Sequence, residues 1–220
     1  MVQKSGDVME SAVLNALIYL GEVDRAVALG YNAVMKTFKS DYLKYNKSGY
    51  FDSIGISELK LSDILQKHSI RMTDIETIIS KTQYRVEGAV VGEKFIIGRD
   101  KNRVDIPTKL IKSEIVVHSH PDGTSFSADD IFETITFGGK GVVAFNDEFF
   151  YVFTNNTAGD VELLSLFSEI ASLVEESLIK KVNNGTITKS QMYFAINHKV
   201  WLKIAQKIEG FGYEAYKIKK

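Results

Sequence analysis

The chain has 220 residues, 45% of them hydrophobic and 25% charged, and its 27 basic and 28 acidic side chains leave a net charge of −1. That balance describes a globular protein able to bury its own core, without the basic excess of a nucleic-acid binder. No cysteine occurs, so disulfides, thiolate metal sites and thiol nucleophiles are excluded, and any chemistry rests on histidines, carboxylates and hydroxyls.

Residues 8–37 place Val8, Ala12, Ala16, Leu17, Leu20, Val23, Val27 and Val34 at helical spacing, interrupted by Gly21 and Gly30. The uncharged stretch from Ser11 to Gly21 is shorter than the ~20 residues of a membrane span. No basic n-region with an apolar run and cleavage site precedes it, which predicts an intracellular, cytoplasmic protein. A hinge over Lys47 to Ser57 leads into a second helical stretch, Glu58 to Ser80, with Leu59, Leu61, Ile64, Leu65, Ile70, Ile75, Ile78 and Ile79 as its apolar set. Residues 1–80 are therefore read as an N-terminal helical region, a surface for docking or for homo-oligomer formation. Residues 81–220 are read as the second domain.

From Thr82 the period becomes alternating, over Tyr84 to Val91 and Lys94 to Ile97, with Gly92 and Glu93 as a hairpin turn. Lys112 to His120 reads as a strand, Ala128 to Phe137 as a helix, and Gly141 to Phe145 and Phe149 to Thr154 as strands. Helices follow over Asp160 to Val182 and Ala195 to Ile208, and a strand near Tyr213 to Ile218 closes the chain. The fold class expected is α/β (α+β), a mixed central sheet flanked by helices.

Two of the four histidines lie in Glu114-Ile-Val-Val-His118-Ser-His120-Pro-Asp-Gly-Thr-Ser-Phe-Ser127-Ala-Asp-Asp130. Alternate residues of a strand share a face, so His118 and His120 can approach one metal ion. Pro121 stops the strand, Asp122-Gly123 turns the chain, and the helix that follows carries Asp130 in its first turn. Two imidazoles and a carboxylate with a fourth position open make a catalytic rather than a structural zinc pattern. Ser127-x-x-Asp130 also fits a helix N-cap. Asp122 and Asp129 are substitute ligands that the turn and the helix surface explain adequately. Gly138-Gly139-Lys140-Gly141 follows a helix and enters a strand, the reverse of what phosphate binding needs.

Glu87, then His118-Ser-His120-Pro, then Ser127-x-x-Asp130 resembles the signature of the JAMM (JAB/MPN-type) zinc metallopeptidases over roughly residues 80–155. The family usually spaces its second histidine and its serine by seven residues, whereas Pro121 to Phe126 make six here. The shorter form resembles a prokaryotic branch associated with phage head proteins and toxin-like modules. The resemblance implies a JAB/MPN-like fold with Zn²⁺ on His118, His120 and Asp130, Ser127 as the oxyanion donor and Glu87 as the general base. Glu93 is the fallback base. Glu114 lies about 13 Å along the strand from His118, too far to serve.

The function implied is hydrolysis of a peptide or isopeptide bond in a protein partner, such as a ubiquitin-like conjugate. The alternative is a non-catalytic interaction or assembly module related to phage or mobile elements, and a metal-dependent nuclease is disfavoured by charge. Specificity would reside in the loops Gly98 to Lys112 and Phe145 to Gly159. Neither membrane nor nucleic acid is expected as a partner.

Overall fold

Helix α1 (Tyr50–Ile54) leads into strand β1 (Ser57–Lys60), then helices α2 (Leu61–His68) and α3 (Met72–Thr82) of a computed structural model that describes residues 49–99, 103–157 and 163–219. A hairpin of β2 (Gly88–Val91) and β3 (Lys94–Ile97) turns at Gly92-Glu93, as the alternation predicts. There follow β4 (Ile115–Ser119), α4 (Ala128–Thr136), β5 (Gly141–Phe145) and β6 (Phe149–Asn155). Helices α5 (Leu163–Asn183) and α6 (Lys189–Lys207) and strand β7 (Phe211–Lys219) complete the fold.

The strands form one seven-stranded mixed sheet in the order β1-β7-β6-β5-β4-β2-β3. Parallel pairing joins β1 to β7 and β4 to β5, and every other neighbour is antiparallel. Parallel neighbours need a crossover between them. For β4 and β5 that crossover is residues 120–140, the segment that carries the His-Pro turn, Ser127 and α4.

Both faces of the sheet are covered, which is why β5 and β6 read as continuous apolar runs. On one face Ile64 and Leu65 of α2 and Ile75 and Ile78 of α3 pack with Val90, Val117, Val143, Phe145, Phe150, Val152 and Tyr216. On the other, Phe149, Tyr151 and Phe153 point away from that cluster, and Phe51, Phe194 and Trp201 lie against them at ring separations of 5.3 to 6.1 Å. The expected mixed sheet between helices is present.

The division read at residue 80 is not where the chain divides. The compact unit is Phe51–Lys220, the other being Met1–Tyr50. The apolar stripe of α2 and α3 is the cover of one sheet face rather than the seam of an appendage. The stretch Glu58 to Ser80 also breaks into a strand and two helices: Ser57–Lys60 pairs in parallel with Tyr216–Lys219, and Ser69, at φ 54°, turns α2 towards α3. The helical pattern over residues 8–37, and with it much of the 1–80 region read as a docking or homo-oligomer surface, lies outside the described residues, as do parts of the two loops expected to set specificity. None of the described helices is long and apolar enough to cross a membrane.

Candidate metal centre

The centre forms at the carboxyl end of β4 and the first turn of α4. In open α/β sheets that is the ordinary place for a binding site, because chain from several elements diverges there. His118 and His120 share one face of β4, both buried, and their Nε2 atoms face each other at 2.8 Å. Asp130 reaches them from α4, with its two carboxylate oxygens each 3.6 Å from one of those nitrogens. One donor atom from each residue lies within 4.8 Å of the other two.

The local sequence produces this convergence. His120 donates its amide to Phe145 O at 2.8 Å, continuing the ladder one residue past β4, and Pro121 has no N–H with which to extend it. Asp122 Oδ1 then accepts the Thr124 amide and hydroxyl at 3.0 and 2.8 Å, an Asx turn. Gly123 sits at φ +75°, and a Cβ there would stand 2.6 Å from Asn146 Nδ2. Ser127 starts α4 with a reciprocal cap. Its amide and hydroxyl donate to Asp130 Oδ2 at 2.7 and 2.8 Å, and its Oγ accepts the Asp130 amide at 3.3 Å. The capping box is formed, and it is compatible with the ligand reading, since the cap aims the Asp130 carboxylate at the imidazoles.

The donor set suits a metal ion. Ligands roughly 2.0–2.1 Å from a tetrahedral ion stand about 3.3 Å apart, close to the separations given above. His120 donates Nδ1–H to Thr124 O at 3.0 Å, which leaves the lone pair of Nε2 facing the centre, as a ligand requires. Among the described residues, His118 Nδ1 is buried without a hydrogen-bond partner, so that ring lacks the outer hydrogen bond that usually orients a ligand histidine.

Burial pushes the His118 imidazole down to about 4, so at pH 7 it is neutral, the form a metal ligand requires. Burial also opposes charge on His120, but the fields of Asp130, Glu87 and Asp122 outweigh it and raise that ring. Asp130 is held below its usual range: burial works against the anion, and the two imidazoles and the Ser127 hydrogen bonds overcome it.

Glu87 is brought to the same place. Strand β2 pairs with β4 in the register Ala89 to His118, and the Gly88 amide donates to Ser119 Oγ at 3.1 Å. Continuing the register sets buried Glu87 opposite His120 on the shared face. On its other side the Glu87 carbonyl accepts the Gly98 amide at 2.7 Å. Glu93 occupies the β2–β3 turn and Glu114 lies beside Gly92. Both are at the opposite end of the strand pair, which removes Glu93 as a fallback base and agrees with the exclusion of Glu114. Asp122 is engaged by Thr124, and Asp129 lies outside the converging set.

Sequence reading missed the support. Ser119 fixes the register that presents Glu87, and Tyr151, Trp201 and Tyr213 hold the turn from below. Their partners lie 28 to 88 residues away in sequence, so no local pattern marks them. His68 bonds Tyr216, and His198 bonds Tyr213 and Ile54 O; both lie on helices outside the converging set. In comparisons with family models, curated proteins and solved structures, nothing matched this chain.

Proposed function

We infer that the protein is a zinc-dependent hydrolase of peptide or isopeptide bonds, of JAMM type, acting on a protein or peptide substrate. The observation that carries this reading is the convergence of His118, His120 and Asp130 within 4.8 Å, with Glu87 on the same strand face. His118 and His120 would hold Zn²⁺ through Nε2 and Asp130 through a carboxylate oxygen. A zinc ion so held acidifies water towards a pKa of about 7 and polarises a carbonyl.

The chain's own residues supply the rest. Glu87, as general base, accepts a proton from the attacking water and returns it to the departing amine. Ser127 lies one turn from the ligands and would donate its hydroxyl to the developing oxyanion. In the structure that hydroxyl donates to Asp130, so it must turn from carboxylate to oxyanion during the reaction. The Ser127 amide keeps its own bond to Asp130 throughout.

The test is hydrolysis of a panel of isopeptide-linked and linear peptide substrates by the zinc-loaded protein, with Glu87→Gln as the paired variant. Turnover that falls by roughly 10²–10⁴ in Glu87→Gln while zinc content stays level supports the reading. Zinc-loaded protein that cleaves nothing, or Glu87→Gln at wild-type rate, contradicts it and favours the assembly-module alternative.

A further inference from the structure

The turn between the second imidazole and the capping serine is pinned by a buried polar chain that runs away from the centre. Ser125 Oγ lies 2.8 Å from Tyr213 Oη, which lies 2.8 Å from His198 Nδ1. His198 Nε2 lies 2.7 Å from Ile54 O. All three side chains are buried. The direction of every bond follows from the last acceptor: a carbonyl can only accept, so His198 carries its proton on Nε2 and its Nδ1 accepts. Tyr213 must then donate to His198, and Ser125 must donate to Tyr213. The burial that holds His198 down to about 4 keeps it in this neutral form.

The adjoining residues of the turn are held in the same way. Tyr151 donates to Gly123 O at 2.8 Å, Trp201 Nε1 to Phe126 O at 3.0 Å, and His120 Nδ1 to Thr124 O at 3.0 Å. Each residue of 123–126 thus gives one polar group to a donor or acceptor beneath it. Only the Thr124 bond belongs to a ligand. The others place Thr124 O, and through it the ring of His120, and they set where Ser127 begins α4. A turn of this length could be closed in several ways, and the Ser125–Tyr213–His198 chain selects one.

We propose that Tyr213, backed by His198, is a positioning residue for the metal centre: by holding Ser125 it fixes the 121–127 turn and hence His120 and Ser127. The proposal rests on the zinc reading above. Its test is the affinity of the purified full chain for Zn²⁺ alone, measured by competition with a chromophoric chelator at neutral pH, well below the unfolding temperature. Tyr213→Phe keeps the ring against Phe126, 6.2 Å between centroids, and removes only the hydroxyl; Ser125→Ala cuts the same bond from the turn side. Outer hydrogen-bond partners of metal ligands are typically worth 10- to 100-fold in affinity, and each variant is expected to bind Zn²⁺ about tenfold more weakly. The double variant should be no weaker than Tyr213→Phe alone, because that change already removes the Ser125 bond together with the bond to His198. Ile64→Val, on the opposite sheet face, lowers stability without touching the turn and should bind as wild type does. In metal-free Tyr213→Phe, the amides of Gly123 and Thr124 should exchange about tenfold faster. Variants that match wild type in affinity and exchange overturn this proposal while leaving the zinc reading intact, and a wild type that takes up no Zn²⁺ overturns both.

Discussion

At the scale of single residues, Asp130 and Ser127 each serve twice. Asp130 closes the cap of α4 and faces the imidazoles; Ser127 starts the helix and holds the carboxylate. Ser127→Ala should therefore have two separable effects. Loss of the cap costs roughly 0.5–2 kcal/mol of stability, read as a lower urea midpoint, and on the proposed mechanism loss of the oxyanion donor would cost about 10²–10³ in turnover. Zinc stoichiometry should stay at the wild-type value, because the Ser127 amide still bonds Asp130; zinc lost together with activity would place Ser127 in the ligand set instead. The imidazole pair was legible in the sequence because strand alternation and the cap pattern act over a few residues. The Ser119 bond that registers β2 against β4 was not, since it depends on which strands become neighbours.

At the scale of elements, two short strands and one turn deliver the site. The β2–β3 hairpin carries Glu87, and its far side is closed by Gly98. A Cβ on Gly98 would stand 2.5 Å from Arg103 O and 2.6 Å from Glu87 O, so Gly98→Ala must shift the Glu87 backbone. Turnover should fall by about tenfold or more while zinc binding persists, a misplacement effect of the kind that costs rate without removing a group. Unchanged turnover would show that the Glu87 position is not critical. The hairpin, β4, α4, β5 and β6 were each legible from period and turn residues. Strand β1 was not: Ser57-Glu-Leu-Lys60 has weak β-propensity, continues a helical apolar pattern, and is a strand because β7 offers it an edge. Likewise α6 begins at Lys189 rather than near Ala195, since Thr188 and Gln191 form a capping box before the apolar face becomes dense.

At the scale of the whole molecule, helices α2 and α3 belong to the core. Removing residues 51–80 would strip Ile64, Leu65, Ile75 and Ile78 from the sheet and delete an edge strand. Such a deletion variant should fail to unfold cooperatively, and Ile78→Ala alone should cost roughly 2–5 kcal/mol. A cooperative transition without residues 51–80 would restore the boundary at residue 80. Acid should weaken the fold through His198. Its folded value is about 4 against 6.5 for the free side chain, so the unfolded chain takes up a proton first and stability falls as pH drops from 6.5 towards 4. Between pH 7 and pH 5 the loss is about 2 kcal/mol, measurable as a fall in the urea midpoint. His198→Gln, which does not titrate, should lack that share of the fall. An equal acid sensitivity in the variant would assign it to other groups.

If His118, His120 and Asp130 form one metal centre, elemental analysis of purified protein after zinc loading and desalting should find one zinc per chain in wild type and none retained in His118→Ala or Asp130→Ala, with Glu87→Gln still loaded. A wild type that retains no zinc, or variants that retain it as wild type does, would show that these three side chains do not form a metal centre.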